Sequence, residues 1–99
     1  MMRFLLRLVS PRPTFPMDMT DSERRVMQEH VVYWTALRDK GIAIVFGPVL
    51  DPKGVWGVAV VETSDEANAR ALLVNDPVEK AGLGRIEIYP MGPGTIVRK

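Results

Sequence analysis

Two apolar runs stand back to back in the middle of this chain and restrict its fold more than any other feature. Gly41 to Leu50 (GIAIVFGPVL) and Val55 to Val61 (VWGVAVV) are separated only by Asp51-Pro52-Lys53-Gly54. Pro presets φ for a turn and Gly tolerates positive φ, so the two runs read as the arms of a β-hairpin. Both arms are apolar on both faces, and a strand of that kind is buried on both sides. The rest of the chain therefore has to cover the hairpin.

The flanking segments supply that cover. Residues 2–9 alternate, with Phe4, Leu6 and Leu8 pointing one way and Arg3, Leu5, Arg7 and Val9 the other, as in a half-buried strand. Pro11, Pro13 and Pro16 keep the next segment out of regular structure. Thr20-Asp21-Ser22-Glu23 is a capping-box pattern that opens a helix running to about Lys40, where Gly41 can provide a left-handed cap. Val26, His30, Tyr33 and Leu37 share one face of that helix, so His30 lies on the inward stripe. Thr63-Ser64-Asp65-Glu66 opens a second, shorter helix, predicted to line its inner face with Ala67, Ala71 and Val74 and to stop at Asn75-Asp76-Pro77. Arg85 to Met91 alternates as a last strand, after a turn bracketed by Gly82 and Gly84. The order β-α-β-β-α-β is the ferredoxin-like α+β arrangement, a four-stranded antiparallel sheet with two helices on one face.

Two helices cover only one side of the sheet, which leaves an apolar face open. A chain of 99 residues is near the low end of what builds its own core, so a homodimer that packs two open faces together is expected. Arg7, Glu87 and Tyr89 would then be the polar groups near that interior. The whole chain, 1–99, reads as one domain. Its 46% hydrophobic and 25% charged residues are those of a globular protein. A net charge of +1 without a basic run predicts no nucleic-acid partner. Zero Cys excludes disulfides and thiolate clusters, and a single His excludes a His-rich metal site within one chain. The opening MMRFLLRLVSP is short, interrupted by Arg7 and without a small-residue cleavage site. No apolar stretch approaches the roughly 20 residues that span a bilayer, so no membrane association and a cytoplasmic location are expected.

His30 is the one side chain whose ordinary proton affinity suits transfer near neutral pH. A general base needs a partner that fixes its tautomer, and a carboxylate does this. Asp76 is the candidate, because both helices lie on the same face of the sheet and the Asn75-Asp76-Pro77 turn leaves its carboxylate free of helical pairing. The alternative is a core histidine bonded to a backbone carbonyl, with Asp76 merely shaping the turn. Phe46, Gly47 and Pro48 either wall a pocket or form a strand-end bend. Arg7 either binds an anionic ligand on the open face or pairs with Glu87. Tyr33 and Trp34 either wall an apolar or aromatic ligand or belong to the core. Neither a phosphate-binding loop nor a dinucleotide fingerprint is present, and no cofactor is expected.

Several of these pieces together resemble the YCII-related family. They are Glu29-His30-Val31-Val32-Tyr33 in the first helix, the strand Gly41 to Pro48 ending in Gly47-Pro48, and Asn75-Asp76-Pro77 running to Gly82-Leu83. The resemblance implies a dimeric α+β barrel related in fold to muconolactone isomerase, with His30 and Asp76 as an active-site pair. Members often carry an aromatic after Asp-Pro, whereas this chain has Val78, a difference that bears on the pocket wall.

Two functions are compatible with this reading. One is a small cofactor-independent enzyme that uses His30 as general acid or base, oriented by Asp76, for isomerisation, elimination or hydrolysis of a small aromatic or carboxylated molecule. The other is a non-catalytic dimeric module that binds a metabolite or joins a larger assembly. A haem- or oxygen-dependent enzyme of the same barrel type is a distant third.

Overall fold

The alternating N-terminal residues form β1 (Met2–Val9) and the two apolar runs form β2 (Ala43–Val49) and β3 (Trp56–Thr63). The computed structural model describes residues 1–99. β4 (Arg85–Pro90) completes a four-stranded antiparallel sheet of order β2-β3-β1-β4, the ferredoxin-like arrangement. The hairpin turn is held by Asp51, whose carboxylate accepts the Lys53 amide at 2.9 Å and the Trp56 indole N–H at 3.1 Å.

Helix α1 (Asp21–Asp39) starts as its capping box requires. Thr20 accepts the Glu23 amide at 3.1 Å, and Glu23 accepts the Thr20 amide at 2.9 Å. Two shorter helices, α2 (Glu66–Val74) and α3 (Pro77–Ala81), follow β3. Between the helices and one face of the sheet lies the core, in which Phe4, Leu6, Trp34, Leu37, Ala59, Val61 and Leu73 are buried. No helix is long and apolar enough to cross a membrane.

Three details differ from the sequence reading. Asp65, not Thr63, caps α2, accepting the Asn68 amide at 2.8 Å, while Thr63 ends β3. The inner face of α2 is Ala69 and Leu73, whereas Ala67, Ala71 and Val74 are exposed. Apolar area explains that rotation: Leu73 and Ala69, with Leu72 partly buried beside them, withdraw more apolar surface from water than Ala67, Ala71 and Val74 would. Asn75-Asp76-Pro77 ends α2 and also begins α3, since Pro at the first helical position has the φ a helix needs and lacks only an amide that would be unpaired there.

Cross-strand partners in an antiparallel sheet share a face. Leu5 pairs with Val60 and Tyr89, and Arg7 with Val58 and Glu87, so these residues lie on the face away from the helices. Ion pairs Arg3–Glu62 at 2.9 Å and Arg7–Glu87 at 3.8 Å run along it. Val45 on β2 is about half exposed there.

One glycine has a steric reason. Gly84 precedes β4 with φ of 87°, and a Cβ on it would collide with the Val9 carbonyl oxygen.

Candidate active site

His30 and Trp34 stand one helical turn apart on α1 and so project in the same direction. Asp76 meets both. A residue before proline is held extended, and Asp76 at φ −67° and ψ 130° is the N-cap of α3. Its carboxylate, fully buried, accepts three hydrogen bonds. Oδ1 takes the Val78 amide at 2.9 Å and lies 2.9 Å from His30 Nδ1, while Oδ2 takes the Trp34 indole N–H at 2.8 Å.

These bonds set the charge state of the pair. Burial works to raise the Asp76 carboxyl, but the donors from His30, Trp34 and Val78 outweigh it and hold the group below the usual carboxylate range. Asp76 is therefore an acceptor only. The proton between it and the ring belongs to Nδ1, which leaves the lone pair of a neutral ring on Nε2.

The ring borders a cavity of about 410 Å³ between the helices and the end of the sheet. That volume lies within the ordinary range for a small-molecule site. Trp34, Phe46 and Leu6 form part of its wall, and the Trp34 and Phe46 ring centroids are 6.3 Å apart. Gly47 and Pro48 line it too, along with Phe15 from the loop between β1 and α1.

That loop is tied down by Arg12. Its guanidinium donates to both carboxylate oxygens of Glu23 at 2.7 Å, to the Asp18 carboxylate at 3.0 and 3.1 Å, and to the Asp18 carbonyl at 2.9 Å. Bonded to this cation, and also capping α1, the Glu23 carboxyl is pulled down to about 2. The Arg12 charge also lies 5.7 Å from the Phe15 ring centroid.

The structure thus brings His30, Asp76, Trp34, Phe46, Gly47 and Pro48 to one cavity. Tyr33 and Arg7 do not line it. Tyr33 is drawn to α2, donating to the Leu72 carbonyl at 2.6 Å and standing edge-on to Trp34. Burial, and secondly the charge of Asp76, raise its hydroxyl above the usual range. Arg7 is on the opposite face of the sheet, 5.0 Å from the Trp56 ring centroid. Val78 is fully buried, and its contribution to the site is the amide that Asp76 caps.

Sequence reasoning missed two features. Phe15 had one signal, a lone aromatic between Pro13 and Pro16 in the loop before the first helix. Trp34 was read as a ligand wall or a core residue and not as a donor to Asp76, although the four-residue step from His30 already placed both on one side of the helix. No group of three or more His, Cys, Asp or Glu is placed to hold a metal ion.

Among solved structures, the chain is similar to 5-chloro-2-hydroxyhydroquinone dehydrochlorinase (TftG) from Burkholderia phenoliruptrix AC1100, in complex with 2,5-dihydroxybenzoquinone. The TM-score is 0.62 at 20% sequence identity, covering 94% of this chain and 96% of that one. At that identity the likeness speaks for the fold. No curated protein sequence matches. The YCII-related domain matches residues 2–92, from the first strand to just past the last, and by that match the chain belongs to the YCII-related family.

Proposed function

We propose that this protein is a small cofactor-independent enzyme that moves a proton with His30 on a small organic molecule held in the cavity. The 2.9 Å contact between His30 Nδ1 and Asp76 Oδ1 carries this reading. It directs the Nε2 lone pair to the substrate side and leaves a buried carboxylate to stabilise the imidazolium that forms once the ring takes a proton. The same ring, once charged, returns the proton as an acid. Elimination, isomerisation and hydrolysis share this first step. Elimination is favoured by the fold likeness to an enzyme named a dehydrochlorinase.

Hydroxylated aromatic molecules are the first substrates to test, with 5-chloro-2-hydroxyhydroquinone and chloride release as the starting assay. His30→Ala should lose at least about 10²-fold in turnover, the usual contribution of one acid–base group. Equal turnover in His30→Ala would sink the assignment.

The open sheet face favours a second reading that needs nothing from His30. Leu5, Val58 and Val60 form an apolar centre there, bordered by the Arg3–Glu62 and Arg7–Glu87 pairs. We infer that two copies meet on this face as a homodimer. Such a pair could serve as a metabolite-binding or assembly module even if the cavity performs no chemistry. Light scattering that gives a monomer at micromolar concentration would remove this interface.

A further inference from the structure

The charges around the cavity bear on which molecules it accepts. No Lys or Arg lines it, and its titratable side chains are His30 and Asp76. The three donors to Asp76 are an imidazole, an indole and a backbone amide, none with a permanent positive charge. Arg12 is close to the wall, against Phe15, but its guanidinium is committed to Glu23 and Asp18. Arg7 lies behind the Trp56 part of the wall, 5.0 Å from that ring and paired with Glu87 on the far face of the sheet, and does not itself line the cavity. A ligand therefore meets aromatic and aliphatic walls and one buried anion without a compensating cation. Because the Asp76 carboxylate is itself fully buried, a like charge brought beside it is repelled more strongly than it would be in solution.

We propose that the cavity selects uncharged, flat ligands and rejects carboxylates and other anions of the same shape, with Asp76 as the excluding charge. An O–H or N–H of the ligand is donated to His30 Nε2, the one ring position left open by the Asp76 contact. Trp34 and Phe46 hold the flat body of the molecule. This rests on the reading of the cavity as the substrate site, and it runs against the expectation that Arg7 holds a carboxylated ligand.

The test is a matched pair of probes, 2-naphthamide and 2-naphthoate, which share a shape and differ in charge. Binding to the whole chain is followed by NMR at about pH 8, where a carboxylic acid probe is ionised. The signals are the indole N–H groups of Trp34 and Trp56, the two tryptophans of the chain, and the ring of its single histidine. The amide should bind at least about tenfold more tightly than the carboxylate. In Asp76→Asn, which keeps the side-chain shape and its cap on Val78, that preference should shrink to within about threefold. Equal wild-type affinities would overturn charge selection and leave the site reading standing. Binding of neither probe at the His30 and Trp34 signals would overturn both. An undiminished preference in a folded Asp76→Asn would overturn the role given to Asp76. If that variant does not fold, the wild-type comparison decides alone.

Discussion

His30 Nδ1 lies 2.9 Å from Asp76 Oδ1 although the two residues are 46 positions apart in the chain. Neither residue reaches the other through local structure. The ring hangs from the middle of the first helix, and the carboxylate is set by the cap of the third.

The pair should be visible in the ring itself. A free neutral imidazole favours the proton on Nε2, so a carboxylate on Nδ1 reverses the preference. Nitrogen chemical shifts of the single histidine should report mainly the Nδ1–H form in the wild type. Asp76→Asn should lose that bias, and identical shifts in both proteins would mean that Asp76 does not set the tautomer.

Asp76→Ala should destabilise the fold by about 3 kcal/mol in urea unfolding, since it strands the buried Trp34 and Val78 N–H groups together and removes a helix cap. Asp76→Asn keeps an oxygen for the Val78 amide and should cost less. A loss below about 1 kcal/mol for the alanine variant would show that water replaces the carboxylate.

Trp34→Phe separates wall from donor. The ring still packs near Phe46, while Asp76 Oδ2 loses its partner, a change worth about 1–2 kcal/mol. Thermal unfolding measures it. A variant as stable as the wild type would assign Trp34 to the wall alone.

Acid stability follows from carboxyls whose affinity for protons is lowered on folding, Asp76 and Glu23 among them. Asp76 is held below its ordinary value, with burial opposing and the hydrogen bonds prevailing, and Glu23 is drawn to about 2 by Arg12. A lowered folded value contributes stability that is present above the unfolded value of about 4 and lost as pH falls through the folded one. Urea midpoints should therefore fall between about pH 4 and 2. Arg12→Ala should make that fall shallower, because Glu23 then loses the largest cause of its lowering and keeps only its bonds to Thr20.

The same substitution should loosen the loop that walls the cavity. Hydrogen exchange of the Phe15 and Met17 amides, which are bonded to Arg12 and Thr14 carbonyls, should quicken in Arg12→Ala, while β3 amides stay protected. Unchanged exchange at Phe15 would show that the prolines alone hold the loop.

Much of this architecture was legible because it rests on local chemistry. The capping box, the hairpin turn and the alternating strands each have a signature within a few residues, and their order specifies the ferredoxin-like sheet. The His30 and Asp76 contact was legible at one remove, since both helices must lie on one face. Other details depend on competition between distant groups. Tyr33 shares the helical stripe of His30, yet the Leu72 carbonyl draws it out of the cavity wall. The rotation of α2 was decided by which apolar side chains reach the sheet, a comparison that helical spacing alone does not make. Pro77 was read as a stop, although the same fixed φ makes it a start. Phe15 reached the cavity through a loop path set by Arg12 and two acidic residues, beyond the range of any periodic pattern.

The Asp76 oxygen shared by His30 and the Val78 amide has a consequence for how such a protein could diversify. The part that handles the proton is also a joint of the scaffold, so drift at this position is penalised by misfolding before it is felt as lost chemistry. The cavity walls are under no such double constraint: Phe15 comes from the loop before α1, Phe46 and Pro48 come from β2, and none of them bonds to the pair. New substrate preferences would therefore be acquired by exchanging the panels of the chamber while its hinge pin stays in place.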